Sequence, residues 1–122
     1  MILGIGTDIV QMIRIEKALQ RNGFLERTYT GEEQRLIAGR PVCAAGNFAV
    51  KESVAKAFGT GFSCISLQEI EVLRKESGEP YVNLYGAAAQ RFAEQKGSRI
   101  HVSISNEKEY AIAYVILERA DD

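Results

Sequence analysis

The segment from Asn47 through Phe58 to the turn Gly59-Thr60-Gly61 constrains this chain more than any other. Ala49, Ala55 and Ala57 with Phe48, Val50, Val54 and Phe58 make a helix that is apolar around most of its circumference, and such a helix must be enclosed by whatever else the chain builds. Gly59 marks its end, because a residue without Cβ readily takes the left-handed geometry that helix C-termini favour. Glu52, Ser53 and Lys56 fall in one sector of the helical projection, with only small Ala49 between them. A carboxylate and an ammonium one turn apart on that narrow polar edge form either an ordinary i,i+4 pair, worth about 0.3 to 0.5 kcal/mol on a surface, or the start of a site. Lys51 lies on the opposite flank among apolar neighbours, where its ammonium must snorkel to water or meet an anion.

Ahead of this helix, Ile2 to Val10 reads as a buried strand beginning almost at the first residue. Asp8 shares a strand face with Gly4 and Gly6, whose missing side chains leave room beside the carboxylate for a ligand or another backbone. A carboxylate in so apolar a run needs a cation, a metal or hydrogen bonds, unless it caps the next helix. Gln11 to Asn22 reads as that helix, ending at Gly23, with Met12, Ile15 and Leu19 as its buried stripe and Arg14, Lys17 and Arg21 opposite. A basic stripe is ordinarily a solvated face, but Ile13 beside it has no obvious core to join, which is the pattern of a docking face for an acidic helix. Thr30-Gly31-Glu32-Glu33 fits a capping box opening a short helix to about Ala38; Gly39 ends it, and Pro41 suits the first turn of the central helix.

Past Gly61 the period changes to that of strands. Ile70 and Val72 alternate with Glu69 and Glu71, Ser77-Gly78-Glu79-Pro80 has turn chemistry, and Tyr81 to Tyr85 alternates again, so a hairpin is expected. Ala87 to Lys96 reads as an amphipathic helix closed by Gly97, and His101 to Asn106 with Tyr110 to Glu118 as a second hairpin. The order of strand, helices, hairpin, helix, hairpin predicts an α+β fold with a small antiparallel sheet packed on the central helix, as one domain over residues 1–122. A chain of 122 residues builds a deep pocket more easily between subunits than within itself, and an exposed sheet edge also favours an oligomer. The net charge of −1 argues against a general nucleic-acid binder. There is no long apolar run and no charged-then-apolar leader, so neither a membrane span nor a secretion signal is expected. Cys43 and Cys64 stand apart, with no C-x-x-C and no nearby His, which is the usage of reduced thiols in a cytoplasmic protein.

The chemistry rests on two acids, Asp8 and Glu52, and two lysines, Lys51 and Lys56. Two carboxylates with open coordination positions suit Mg²⁺, a hard ion that keeps waters and takes phosphate oxygens as its remaining ligands. Lysines beside it would neutralise further phosphate charge, so the set points to phosphoryl transfer. Gly59-Thr60-Gly61 has no Gly-Lys-Ser/Thr after it, which sets aside a P-loop nucleotide triphosphatase. The single histidine, His101, falls within a strand and is read as structural; no Ser-His-Asp or Cys-His arrangement is available.

These residues, in this order, resemble the holo-acyl-carrier-protein synthases, the small bacterial group of phosphopantetheinyl transferases. Gly4-Ile5-Gly6-Thr7-Asp8-Ile9-Val10, followed by Arg14, looks like the first motif of that family, and Phe48 to Gly61, with Lys51-Glu52 and Lys56, looks like its second. The Gly78-Glu79-Pro80 turn and the closing Val102 to Ala113 match later features, so the resemblance spans nearly the whole chain. It implies transfer of the 4′-phosphopantetheine arm of coenzyme A to a serine of an apo acyl carrier protein, with release of 3′,5′-ADP. It also implies a homotrimer with its sites between subunits.

Carried over by position, Asp8 and Glu52 would hold Mg²⁺ against the pyrophosphate and Lys56 would contact the phosphates, these three forming the catalytic set. Lys51 would sit near the nucleotide or its 3′-phosphate, and Gly59, Ser105 and Asn106 would complete the coenzyme A contacts. Either Glu52 or a water on the metal would take the serine proton. Arg14, with Lys17 and Arg21, would meet the acidic recognition helix of the carrier protein, in agreement with the basic stripe read independently. Two departures stand out: Asn106 replaces a frequent histidine and cannot carry charge, and Asn47 stands where a basic residue often precedes the Phe. A non-catalytic coenzyme A or carrier-protein binding module is the alternative those departures leave open, and a plain structural oligomer with its acids in salt bridges is a third.

Overall fold

The architecture follows from one helix lying across one sheet. The structure, a computed structural model, describes residues 1–121. Strand β1 (Ile2–Gln11) pairs antiparallel with the last strand, Tyr110–Glu118, which also pairs with Arg99–Asn106. Between them in the chain come α1 (Met12–Leu19), α2 (Phe24–Thr28), α3 (Gly31–Ile37), the central α4 (Pro41–Phe58), the hairpin β2 (Ile70–Arg74) and β3 (Pro80–Leu84), and α5 (Gly86–Glu94). With β4 (Arg99–Asn106) and β5 (Tyr110–Glu118) numbered in turn, the main sheet has the order β1-β5-β4, and β2-β3 forms a separate two-stranded sheet. The α+β class is as expected; the second sheet is a refinement of the single sheet read from the sequence.

The sheet is two-faced. On β5, Ala111, Ala113, Val115 and Leu117 are buried against α4, while Ile112 and Tyr114 on the other face are 42% and 47% exposed. On β1, Ile5 and Ile9 are 56% and 60% exposed, and Gly4, Gly6, Asp8 and Val10 face inward. The two glycines resolve the question of what fills their empty side. Backbone does: a Cβ on Gly6 would overlap the Ser53 carbonyl oxygen and one on Gly4 the Ala57 carbonyl oxygen, so strand and helix touch main chain to main chain. At its other end α4 crosses β4, where Gly46 packs on Ile104.

Local signals fixed several boundaries. Pro41 opens α4, and Gly59 closes it in left-handed geometry at φ 81°. The Thr30 and Glu33 capping box forms as read. A second box, Ser66 with Glu69, opens the short 3-10 turn Leu67–Glu69 and had not been anticipated. The first helix stops at Leu19 rather than Asn22, because Gln20 and Arg21 donate to Lys17 and Ala18 in tighter i→i−3 bonds, and Gly23, at φ 84°, starts α2. Asp8 does not cap α1; the N-cap is Gln11, without a side-chain bond. Among the described residues, no helix is long and apolar enough to cross a membrane.

Candidate active site

Lys56 does not form the ordinary pair with Glu52 one turn away. Its ammonium crosses from α4 to β1, donating to Asp8 Oδ1 at 3.0 Å and to the Thr7 carbonyl at 3.0 Å. The crossing is possible because Gly4 and Gly6 let α4 sit directly on the strand that carries Asp8. Glu52 stands in the same place, half-buried, and its carboxyl is pushed above the usual range first by burial and then by the charge of Asp8, against the restraining charge of Lys56. The sequence-derived trio is therefore assembled by the fold from two elements more than 40 residues apart in the chain.

A cleft of about 320 Å³ opens beside these acids, lined by Asp8, Glu52, Arg14, Arg21 and the apolar Ile15, Ala18, Phe24 and Phe48, among others. Acids mark one side and two guanidinium groups another, with an aromatic floor in which the rings of Phe24 and Phe48 lie 6.3 Å apart. Arg14 and Arg21 thus belong to the same cavity as the acids, whereas Lys17 is exposed outside it. Phe24 and Phe48 were missed as site residues. Phe48 had been counted as core, and nothing local marks Phe24 except its place after Gly23 at a helix start.

Lys51 is a correction. It was assigned to the nucleotide side, yet its side chain is fully buried, with Nζ donating to Glu33 Oε1 at 2.7 Å, to the Leu67 carbonyl at 2.9 Å and to the Ile70 carbonyl. Every proton of the ammonium has an acceptor inside the protomer, which leaves none for a phosphate. Asn47, which stands where a basic residue often precedes the Phe, is likewise enclosed: its Nδ2 donates to Glu33 Oε2 at 3.0 Å and to the Val72 carbonyl at 2.9 Å. Burial pushes the Glu33 carboxyl up and the Lys51 ammonium down, each opposed by the other's charge.

Three further expected residues lie apart from the trio within one chain. Asp8 is opposite Ala113, and Ala113 is opposite Ile104, so β4 is two strands away from Asp8, about 10 Å at the usual strand spacing. Asn106, at the end of β4, faces the α4 side of the sheet, and Ser105 faces away. Gly59 sits exposed one turn beyond Lys56. His101 bonds Glu118 at 2.9 Å on the outer sheet face, the structural placement read for it.

The donor set fits a hard divalent cation. Asp8 and Glu52 bring two carboxylates against the single ammonium of Lys56, which leaves one formal negative charge for a cation to balance. No group of three or more His, Cys, Asp or Glu that could hold a metal occurs among the described residues, so such an ion would draw further ligands from water and substrate, the habit of Mg²⁺.

The family model of the 4′-phosphopantetheinyl transferase superfamily matches residues 4–115. The holo-[acyl-carrier-protein] synthase of Lachnoclostridium phytofermentans is 54% identical over 118 residues, which is 97% of each chain. Among solved structures, the Bacillus anthracis holo-(acyl-carrier-protein) synthase in complex with CoA (3′,5′-ADP) is 36% identical with a TM-score of 0.83, covering 98% of this chain and 99% of its own. The Helicobacter pylori holo-[acyl-carrier-protein] synthase in complex with coenzyme A is 31% identical with a TM-score of 0.85, covering 93% of this chain and 99% of its own.

Proposed function

Because this chain belongs to the 4′-phosphopantetheinyl transferase superfamily, and within it to the holo-acyl-carrier-protein synthases, we propose that Asp8, Glu52 and Lys56 carry its transfer of phosphopantetheine from coenzyme A to an apo acyl carrier protein, with Mg²⁺ and release of 3′,5′-ADP. The observation that carries the reading is Lys56 reaching from α4 to Asp8 beside a Glu52 whose carboxyl is raised, at the edge of a cleft that also holds Arg14 and Arg21. That is a phosphate-binding corner next to a basic and apolar docking surface.

The carrier serine enters along the cleft. Its hydroxyl oxygen forms a bond to the β-phosphorus of coenzyme A, the bond from that phosphorus to the bridging oxygen breaks, and 3′,5′-ADP leaves with the electron pair. Glu52, directly or through a water, takes the serine proton. Lys56 stands where charge builds on the phosphate oxygens, and its bond to Asp8 keeps the ammonium in one orientation. Asp8 and Glu52 would hold Mg²⁺, which supplies charge neutralisation at the pyrophosphate when bound. Arg14 and Arg21 meet acidic side chains of the carrier, while Phe24, Phe48 and Ile15 accept an apolar one.

A homotrimer with shared sites is part of the proposal. Ile5, Ile9, Ile112 and Tyr114 form an exposed apolar outer face on the sheet, the kind of surface a partner subunit covers, and Ser105 and Asn106 are too far from Asp8 to join its site within one chain. A neighbouring subunit packed on that face would bring them there, with Gly59, around one coenzyme A. Release of 3′,5′-ADP, followed by chromatography during incubation with coenzyme A, an apo carrier protein and Mg²⁺, tests the chemistry. Release that depends on all three components and is lost with a chelator is expected; release without the carrier would mean hydrolysis and overturn the assignment of the acceptor.

A further inference from the structure

Helix α4 carries Glu52 and Lys56, yet little in its apolar surface decides which way it faces. Twelve of its residues are buried, on every side, and seven of them are alanine, glycine or serine, so its apolar surface resists a small turn about the axis only weakly. Contact with Gly4 and Gly6 sets how closely α4 approaches β1 but supplies no directional bond. Ser53, on that side, bonds chiefly to its own helix, at Ala49, 2.7 Å away. Tyr29 and Arg91 donate to main-chain carbonyls of α4, at Ala44 and Phe58 near its two ends; side chains of α4 itself are gripped on the flank where Asn47 and Lys51, one turn apart, both bond Glu33 of α3.

Glu33 is held from several sides at once. Its Oε1 accepts from the Thr30 amide at 3.1 Å and from Lys51, and its Oε2 accepts from the Val72 amide at 3.2 Å and from Asn47. Lys51 in turn binds the carbonyls of Leu67 and Ile70, and Asn47 that of Val72. The pair thus pins α4 to α3, to the 3-10 turn and to β2 simultaneously. A buried ion pair of this kind is weak evidence for stability, since well-packed apolar residues often do as well; its best-attested use is to fix registry.

We infer that the buried Glu33–Lys51 pair, joined by Asn47, is a positioning device that fixes the rotation of α4 and so holds Glu52 and Lys56 on Asp8. The geometry gives it leverage. Cα atoms lie about 2.3 Å from a helix axis, so a rotation of only about 25° carries Glu52 and Lys56 by about 1 Å at the backbone and further at the side-chain ends. Lys56 meets Asp8 at 3.0 Å through a long, half-exposed stem that can follow such a shift, but the shorter, half-buried Glu52 is carried with the helix and changes its place beside Asp8. Lys51 therefore acts through its neighbours rather than by touching a substrate.

The inference rests on the transferase reading, and the test separates the two. Wild-type protein is first assayed for transfer to an apo carrier; absence of transfer there refutes the reading itself. Glu33→Gln/Lys51→Met, which neutralises both partners together, is then compared with Asn47→Leu, a neutral change that removes one strand of the same network. The expected result for the double variant is a native circular dichroism spectrum, a kcat per folded enzyme lower by about a hundredfold, and an unchanged KM for the carrier, which docks on α1. A crystal structure of that variant should show α4 turned, with the Cα atoms of Glu52 and Lys56 displaced by about 1 Å relative to β1. Asn47→Leu should give a smaller loss of the same kind, and it decides the matter alone if the double variant does not fold. Wild-type kcat per folded enzyme, or a loss that only tracks the folded fraction, would overturn the inference, as would an unrotated α4 in the variant crystal.

Discussion

Gly6→Ala is the smallest change that should damage both the fold and the proposed site. A Cβ there would lie 2.8 Å from the Ser53 carbonyl carbon and 3.1 Å from the Ala57 amide nitrogen, and would overlap the Ser53 carbonyl oxygen outright. Carbon atoms pack comfortably at about 3.5 to 4.0 Å, so β1 and α4 must part by about 1 Å. Neither side yields easily, because the atoms met are main chain. Overpacking of this sort costs about 1 to 3 kcal/mol, which in a domain of this size lowers the melting midpoint by about 5 to 15 °C. The same separation moves Glu52 and Lys56 relative to Asp8 on β1, and turnover should fall about 10- to 100-fold. Gly31→Ala is the control, since its Cβ would meet nothing nearer than Arg35 Nη1 at 3.9 Å. Thermal melts and transfer rates on the three proteins give the answer. A Gly6→Ala protein that melts within about 2 °C of wild type and transfers at its rate would refute the reasoning.

Other outcomes follow from the same geometry. Glu52→Gln should abolish turnover and leave the melting midpoint unchanged or slightly raised, because the burial and the Asp8 charge that raise the Glu52 carboxyl are relieved when it is neutral; a kcat near wild type removes Glu52 from the mechanism. Arg14→Glu should raise the KM for the carrier with little change in kcat, measured at several salt concentrations; an unchanged KM dismisses the docking surface. Glu71 is held below the usual range although burial opposes it, because Thr30, Asn83 and Tyr85 donate to it at 2.6, 3.1 and 3.0 Å and Lys51 lies near. Its folded value is thus lower than its unfolded one, so its stabilisation is present above the unfolded value and is lost as pH falls through the folded one. Melting curves of Glu71→Gln should show a loss of stability at neutral pH that shrinks in acid; a pH-independent difference would contradict this.

Much of the site was legible because its signals are local. Gly59 at the end of α4, the capping box at Thr30, and Asp8 sharing a strand face with two glycines each follow from spacing over a few residues, and all appear as read. Pairings across the chain were less so. Lys51 had been recognised as needing an anion, but Glu33 stands 18 residues earlier on another helix, already accounted for by its cap. One carboxylate serves both purposes, since its two oxygens each accept more than one bond. The structural part played by Asn47 was hidden for a related reason: its partners, Glu33 and the Val72 carbonyl, lie 14 and 25 residues away in the chain. The early end of α1 turned on tight i→i−3 bonds that leave no mark on hydrophobic periodicity.

The central claim, that Asp8, Glu52 and Lys56 form a phosphopantetheine transfer site, is tested most directly by the intact mass of an apo acyl carrier protein after incubation with coenzyme A, Mg²⁺ and this protein. With the native chain the carrier should gain the mass of one phosphopantetheine group, and that gain should vanish with a chelator and with Lys56→Met. No gain on any of several different apo carriers, or an undiminished gain with Lys56→Met, would contradict the account.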